Sequence, residues 1–269
     1  MSEAVLISLI TISFNSAKHI EQTILSVLGD GYPNKEYVIV DGGSKDNTLN
    51  IINKYRTRIN HVHSEPDDGI SDAFNKGITL SHGEIIGIVS SDDYLLPGAL
   101  ESVATAYTQN GRPDVIYGNV KWIDVETGKQ TISRPDPGLK SAFFGQPVKH
   151  GGTFVSRKAY EKYGLFNLKY KCAMDFDLIL RMIVGGARFV YLDKELEVIR
   201  GGGVSEQRRE LTRRESRDIS IDHGCPRWKA NGYYYWKWTK DIVKKLLIVS
   251  PLTPVLQIYR RLRGRNVPI

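Results

Sequence analysis

The chain has 269 residues, of which 41% are hydrophobic and 25% are charged, values typical of a folded globular protein. This length can hold one large domain or a domain with an appendage, and the composition argues against wholesale disorder. Two cysteines, Cys172 and Cys225, give neither a disulfide framework nor metal-ligand spacing, and they fit a reducing compartment. The net charge of +7 is concentrated in the last part of the chain, where ten Lys and Arg residues from Arg227 onward stand against one acidic residue, Asp241.

The first hundred residues alternate between strand and helix patterns. Residues 5–13 form a continuous apolar and β-branched run, which predicts a strand buried on both faces and fits a signal peptide poorly. Residues 17–28 carry the apolar stripe of an amphipathic helix. The pattern continues with strands near 37–40, 61–63 and 84–89, and with helices near 48–55 and 71–80. This order predicts an α/β fold with a mainly parallel central sheet flanked by helices.

The second half of the chain is less regular. Residues 114–125 predict two strands separated near Gly118 and Asn119, and residues 174–184 and 206–221 predict helices. No run reaches the roughly 18 uninterrupted apolar residues that a membrane-spanning helix needs.

Polar clusters follow three of the predicted strands. They are Ser-Phe-Asn at 13–15, Asp-Gly-Gly-Ser at 41–44 and Ser-Asp-Asp at 91–93. Ligands of such sheets bind beyond the carboxyl ends of the strands. The clusters therefore predict a ligand site at that edge.

Adjacent carboxylates at Asp92 and Asp93 repel each other unless a cation neutralises them. Magnesium and manganese prefer such oxygen ligands, and a metal held this way commonly bridges to a diphosphate. The alternative is that one of the two aspartates caps a helix beginning near Pro97. Asp41 is similarly open: it either stabilises a tight turn or accepts hydrogen bonds from a nucleotide.

Four segments in order carry a family resemblance: SLITISFN at 8–15, VDGGSKDNT at 40–48, DGISDAFNKG at 68–77 and SDDYLLPGAL at 91–100. Together they resemble the family-two glycosyltransferases, inverting enzymes with a GT-A fold, of the kind that builds bacterial polysaccharides and lipid-linked sugars. The resemblance covers roughly residues 5–203. It implies a catalytic domain over 1–222, with a nucleotide-sugar half to about 97 and an acceptor half over 98–222, followed by a tail over 223–269.

The resemblance implies a donor site and a metal. Phe14 falls where the family packs a residue against the nucleotide base, Asp41 where an aspartate contacts the base, and Asp72 beside the diphosphate and donor sugar. Asp92 and Asp93 would hold Mn²⁺ or Mg²⁺, although Ser90 replaces the first aspartate of the family's Asp-x-Asp motif. The full set of expected donor-binding residues is Ile12, Phe14, Asn15, Asp41, Asp72, Lys76, Ser91, Asp92 and Arg200.

The resemblance also implies a catalytic base and an acceptor side. Asp175 matches the family's general base, which must take a proton from an acceptor hydroxyl. Glu101 and Asp124 are rivals outside any matching motif. His150 and Gly151 match the acceptor-side strand, and Arg200 lies in a glycine-rich loop where it could stabilise the departing diphosphate. Asp177 is expected to be structural.

The C-terminal segment combines Trp and Tyr with lysines, a composition that favours an anionic membrane surface. Packing against the catalytic domain or a dimer contact are alternatives, and nucleic-acid binding is not expected. We therefore expect a cytoplasmic enzyme, peripheral on the inner face of the membrane. Its donor would be a nucleotide-diphosphate sugar, UDP-linked more than GDP-linked, and its acceptor a glycan or lipid-linked sugar. A sugar nucleotidyltransferase and a non-catalytic nucleotide- or membrane-binding adaptor are the alternatives.

Overall fold

A computed structural model of the protein describes residues 4–139 and 141–249, which form one mixed sheet with helices on both faces. The strands are β1 Ile7–Ser13, β2 Lys35–Asp41, β3 His61–Ser64, β4 Ile85–Ile88, β5 Tyr94–Leu95, β6 Val115–Ile123, β7 Gln130–Ser133, β8 Thr153–Ser156 and β9 Phe189–Arg200. The helices are α1 Ile20–Gly29, α2 Thr48–Lys54, α3 Ile70–Leu80, α4 Ala99–Gln109, α5 Arg157–Tyr163, α6 Met174–Val184, α7 Val204–Gln207, α8 Arg209–Asp222 and α9 Arg227–Val249.

The first half of the chain follows the predicted alternation. Strands β3, β2, β1 and β4 lie side by side and all pair in parallel. In the pairing of β1 with β2, Ser13 lies opposite Asp41, so both strands end at the same edge of the sheet. The clusters that follow these strands therefore start from neighbouring positions.

The second half adds antiparallel strands to the predicted, mainly parallel sheet. Strand β8 pairs antiparallel with both β4 and β6, and β5 pairs antiparallel with β9. Among the described strands, four pairings are parallel and four are antiparallel. Strand β6 is also continuous, whereas we predicted two strands; its pairing with β9 only shifts register on either side of Asn119.

The sheet is covered on both faces by separate apolar clusters. Ile7 and Leu9 of β1 pack with α1, α2 and α4, while Ile10 packs with α3, α5 and α6. This alternation places α4 and α6 on opposite sides of the sheet. A strand buried on both faces reads as a continuous apolar run, which explains why β1 could be predicted from sequence.

Helix α9 begins the predicted tail and packs along α8. Ala230 is buried in this contact, and Tyr234 donates a hydrogen bond to Glu210 of α8 (2.7 Å). Helix α9 also exposes large side chains, among them Trp228, Tyr235 and Trp238. No helix within the described residues is long and apolar enough to cross a membrane. The part of the predicted tail from residue 250 onward lies outside the described residues.

Candidate active site

Hydrogen bonds connect the three loops that follow β1, β2 and β4. The Asn15 side-chain oxygen accepts from the N–H of Lys45 (2.8 Å), and the Asn15 N–H donates to the Ser44 hydroxyl (2.8 Å). The Ser16 hydroxyl lies 2.7 Å from the Ser91 hydroxyl. Asn15 and Ser91, both expected to bind donor, thus shape this edge of the sheet by contacts within the protein.

Asp41 organises the loop after β2. Its side chain is fully buried, and its carboxylate accepts hydrogen bonds from the hydroxyls of Ser13, Ser44 and Ser64 and from the N–H groups of Gly43 and Ser44. The structure therefore gives Asp41 the turn-stabilising role left open above. Its predicted contact with a nucleotide base stays a prediction, because such a contact would require exchange of one of these donors.

An exposed aromatic ring stands beside this loop. Phe14 has 62% of its surface exposed, although large apolar side chains usually bury themselves. A Cβ atom placed on Gly42 would lie 3.5 Å from the Phe14 ring and 2.5 Å from Oδ2 of Asp67. A side chain at position 42 would therefore have to displace the Asp67 carboxylate from its place near Phe14. Ile12 lies beneath, partly buried against the core.

Asp72 and Lys76 form a partly buried ion pair one turn apart on α3. The Lys76 ammonium lies 3.1 Å from Asp72 and 2.9 Å from Glu65. The Asp68 N–H donates to Asp72, and together with Lys76 it holds the pKa of the Asp72 carboxyl below its usual value. Asp72 is thus an anion. It would repel a diphosphate, and the positive charge of the neighbouring Lys76 offsets that repulsion.

Asp92 and Asp93 meet a third carboxylate, Glu197 of β9. Burial raises the pKa of Asp93 to about 7, and the adjacent Asp92 adds to this effect. Glu197 is 1% exposed, and burial raises its pKa well above the usual value, with Asp93 and Asp92 contributing further. One oxygen of Glu197 accepts from the Gly152 N–H (3.0 Å), while the other has no hydrogen-bond partner among the described residues.

Asp92 and Asp93 offer oxygen ligands for a cation. Carboxylates that repel one another, with a buried oxygen that lacks a partner, are costly without a proton or a cation to neutralise them. In the described part of the chain the ligand oxygens of Asp92, Asp93 and Glu197 do not all lie within 4.8 Å of one another, so the three do not form a closed metal site by themselves. Oxygen ligands are the donors that Mg²⁺ and Mn²⁺ prefer. Asp92 is the accessible member, because Asp93 is buried and accepts the N–H of Arg200 (2.7 Å).

Neither aspartate caps helix α4. The N-cap position is Gly98, whose N–H donates to Asp30 (3.1 Å), and β5 separates the two aspartates from the helix. This contact removes the capping alternative.

Arg200 is held against the carboxylate cluster. Its guanidinium donates to the carbonyl oxygen of Asp92 and to the side chain of Gln22 (2.6 Å), and it lies 5.1 Å from the centre of the Tyr94 ring. The structure thus places a fixed positive charge where the leaving diphosphate is expected. Burial lowers the pKa of His19, which precedes α1, and the charge of Arg200 lowers it further.

The segment 150–152 connects this cluster to Asp175. A Cβ atom on Gly151 would lie 3.0 Å from Glu197 and 2.8 Å from Ile199, so only glycine fits there. The His150 ring packs against the Phe74 ring at a tilt of 32°, with ring centres 4.9 Å apart, and its Nε2 is buried with no partner among the described residues. Burial lowers the pKa of His150, and the nearby Asp175 carboxylate opposes that shift.

Asp175 lies on the first turn of α6 at the wall of a cavity of about 440 Å³. One of its oxygens accepts from the side-chain amide of Gln146, and the other from the Phe176 N–H (2.8 Å). Asp177 points elsewhere: it is buried and pairs with Arg181 (2.9 Å) and with the His223 ring (3.0 Å). Asp175 is therefore the carboxylate of this helix that a bound molecule can reach.

Glu215 of α8 holds the start of α6 in place. Its carboxylate accepts the N–H groups of Lys171, Cys172 and Ala173, at 2.8 to 2.9 Å. Amides before the first helical turn otherwise lack partners, so a carboxylate there stabilises the helix and fixes its first residues. Sequence inspection missed Glu215 because it lies in a highly charged helix among many similar residues.

The rival bases lie in unsuitable places. Glu101 is exposed on α4, on the other side of the sheet from α6, and Asp124 accepts hydrogen bonds within the turn between β6 and β7.

A group of possible metal ligands, Glu36, His61 and His82, lies at the amino ends of the parallel strands. Glu36 and Asp41 occupy opposite ends of β2, about 16 Å apart by the rise of a strand. This group therefore does not belong to the site around Asp92.

Comparison with known proteins identifies the family. The model of glycosyl transferase family 2 matches residues 8–174, more than half of the chain. The protein belongs to this family. The match ends one residue before Asp175, whose role as the general base stays a prediction.

Two curated relatives illustrate the similarity. Chondroitin synthase of Pasteurella multocida is 27% identical over 249 residues, which cover 86% of this chain and 24% of that protein. A PGL/p-HBAD biosynthesis glycosyltransferase of Mycobacterium tuberculosis is 31% identical over 150 residues, covering 54% of this chain and 57% of that protein. The chain thus spans about a quarter of the synthase.

Solved structures confirm the α/β GT-A fold. The S. aureus TarS fragment 1-349 in complex with UDP-GlcNAc has a TM-score of 0.63 at 20% identity, over 85% of this chain and 70% of that one. The mannosyltransferase PcManGT from Pyrobaculum calidifontis, in complex with GDP-Man and Mn²⁺, has a TM-score of 0.67 at 17% identity, over 97% of this chain and 81% of that one.

Proposed function

We propose that the protein is an inverting, metal-dependent glycosyltransferase that moves a hexosyl or N-acetylhexosaminyl group from a nucleotide-diphosphate sugar to a hydroxyl of a glycan or lipid-linked sugar. One combination of features supports the proposal: the exposed Phe14 ring beside the loop after β2, the adjacent Asp92 and Asp93 with Arg200 against them, and Asp175 at the wall of a cavity. Cell-surface polysaccharide biosynthesis is the process that fits such an activity.

Two tasks fall to different parts of the site: deprotonation of the acceptor and stabilisation of the leaving diphosphate. Asp175 accepts the proton of the acceptor hydroxyl as its oxygen attacks the anomeric carbon, while the bond to the diphosphate breaks on the opposite side of that carbon. Arg200 faces the charge that develops on the leaving group. A divalent cation bound by Asp92, with Asp93 behind it, would supply further neutralisation of the diphosphate.

The donor base is proposed to be uridine, with guanosine as the alternative. Relatives of this fold are described in complexes with UDP-GlcNAc, UDP and GDP-Man. In this chain the base would pack on Phe14 beside Asp67, because an exposed aromatic ring offers a stacking surface for any base.

A thermal-shift screen tests the donor site. UDP, GDP and their sugars, each with Mn²⁺ or with EDTA, are added to the full chain, and a nucleotide that binds the folded state raises the melting temperature by mass action. We expect a rise with UDP and Mn²⁺ and a smaller rise in EDTA. The same samples are then assayed for release of nucleoside diphosphate. The proposal is abandoned if no nucleoside diphosphate or sugar shifts the transition.

The same assays separate the alternatives. A sugar nucleotidyltransferase would release pyrophosphate from a nucleoside triphosphate, and an adaptor would turn over neither substrate. The loop after β1 disfavours the nucleotidyltransferase, since residues 13–17 contain no glycine, lysine or arginine to surround a triphosphate.

We also propose that the protein works in the cytoplasm, bound to the inner face of the membrane through α9 and the residues that follow it. The support is the exposed side of α9, where Trp228 and Trp238 lie among lysines. Tryptophan prefers the membrane interface, and lysine is attracted to anionic headgroups.

Co-sedimentation with vesicles tests this placement. The full chain is expected to sediment with vesicles of phosphatidylglycerol and to stay in solution with phosphatidylcholine. The double variant Trp228→Ala/Trp238→Ala should lose most of the bound fraction, whereas Leu25→Ala, which removes an exposed apolar side chain on α1, should not. Equal binding of all three proteins would refute a role for α9.

A further inference from the structure

Helix α9 forms one wall of the cavity at Asp175. Tyr233 and Lys237 of α9 line this cavity together with Lys149, which follows Gln146 on the opposite wall. Gly145 lies at the junction: a Cβ atom there would be 3.5 Å from both the Lys237 ammonium and the Tyr233 hydroxyl. Its φ of +136° also favours glycine. The predicted tail is therefore part of the acceptor side.

The cavity carries two cations without carboxylate partners. Within residues 4–139 and 141–249, neither Lys149 nor Lys237 forms an ion pair, and the Lys237 ammonium lies 4.7 Å from the centre of the Tyr233 ring. Nearby Arg213, by contrast, is neutralised by Glu210 and Asp241. Two lysines against the single charge of Asp175 leave the cavity with an excess positive charge.

We propose that this cavity binds an acceptor that carries an anionic group, a phosphate or a carboxylate, held by Lys149 and Lys237. The inference rests on the proposed function, because it takes the molecule beside Asp175 to be the acceptor. A volume of about 440 Å³ accommodates a ligand of the size of a sugar with a charged substituent. The Tyr233 and Phe144 rings, 5.3 Å apart, supply apolar surface for the body of that ligand.

The alternative is that Lys149 and Lys237 are ordinary surface lysines that bind no ligand. Lysine stems often cover apolar surface while the ammonium stays in water. Their position favours a binding role, since Lys149 and Lys237 line the same cavity as the one reachable carboxylate of α6. An anion bound there would leave Asp175 free to face a neighbouring hydroxyl.

Binding of three monosaccharide probes to the full chain tests the inference without requiring the correct acceptor. N-acetylglucosamine, glucuronate and N-acetylglucosamine 1-phosphate are titrated into protein saturated with UDP and Mn²⁺, so that the donor site is filled. At least one charged probe is expected to bind about tenfold more tightly than the neutral probe, the scale of one charge-assisted hydrogen bond. Whichever charged probe binds more tightly identifies the source as phosphate or carboxylate.

Variants connect that binding to the two lysines. Lys149→Gln and Lys237→Gln should each lower the affinity for the charged probe about tenfold. The affinity for the neutral probe should stay unchanged. Lys237→Arg should retain binding. Lys240→Gln is the matched control: Lys240 is also on α9, over the Trp236 ring at 5.1 Å, but lies outside the cavity.

Equal affinity for all three probes, or full affinity in both glutamine variants, would overturn the inference. Failure of the proposed function would look different, because donor turnover would be absent while the lysine-dependent binding of an anion remained.

Discussion

Replacing Asp175 with asparagine is expected to lower glycosyl transfer by about 10²–10⁴-fold, the usual contribution of a general base. Asparagine has nearly the same shape and can still accept the hydrogen bond from Gln146, so the cavity should persist. It cannot take a proton at neutral pH. The affinity for UDP should stay unchanged, because the proposed nucleotide site is beside Phe14 and Asp67, and Asp175 is at a different cavity. Transfer is measured by release of UDP at saturating donor and acceptor.

Glu101→Gln is the matched control for that experiment. It also neutralises a carboxylate on a helix, but α4 lies on the other side of the sheet and Glu101 is exposed there. Its turnover should equal that of the unmodified chain. Undiminished transfer in Asp175→Asn would remove the mechanism, whereas a lower melting temperature in that variant would indicate that the substitution had disturbed α6.

Replacing Asp92 with asparagine should remove the part of UDP binding that depends on Mn²⁺. Asp92 is the accessible member of the carboxylate cluster, and a neutral amide is a weaker ligand for a hard cation. We expect the dissociation constant for UDP in Mn²⁺ to rise about tenfold or more, as for other losses of groups that support a metal site. In EDTA the two proteins should bind UDP equally.

The control for Asp92 is Glu126→Gln, which removes the same charge from the exposed turn between β6 and β7. It should bind UDP like the unmodified chain in both buffers, which excludes a general effect of net charge. If the unmodified chain bound UDP equally with and without metal, Asp92 would have no role as a ligand. The same conclusion would follow if Asp92→Asn kept the full effect of Mn²⁺.

The fold of the first half could be predicted because the spacing of apolar residues in each segment matches the way that segment is buried in the fold. Strand β1 is buried on both faces and reads as an unbroken apolar run, and α1 and α3 each carry one apolar stripe. The second half was less predictable, because antiparallel and parallel strands have similar patterns. Strand β6 shows the difficulty, since Gly118 marks a register shift in a continuous strand, and we predicted a break there.

Site residues that belong to a local sequence motif could be predicted. Site residues that are brought into place only by the packing of distant segments could not. Asp92, Asp93 and Asp175 stand in recognisable segments. Glu197 does not: within a strand it falls between Leu196 and Val198, an alternation that predicts an exposed side chain, yet all three residues are buried. Lys237 is equally hidden from sequence inspection, because its role depends on where α9 packs.

The carboxylate of Glu215 also sets limits on how this protein can be recombined. Three amide groups just before α6 depend on it, although it comes forty residues after Asp175 in the chain. Consider a hybrid that takes this chain only up to a point between these two positions and continues with a relative. It would contain Asp175, the proposed base, but not Glu215. Exchanging acceptor preference between relatives therefore calls for transplanting everything from Gln146 through α9 as a single module.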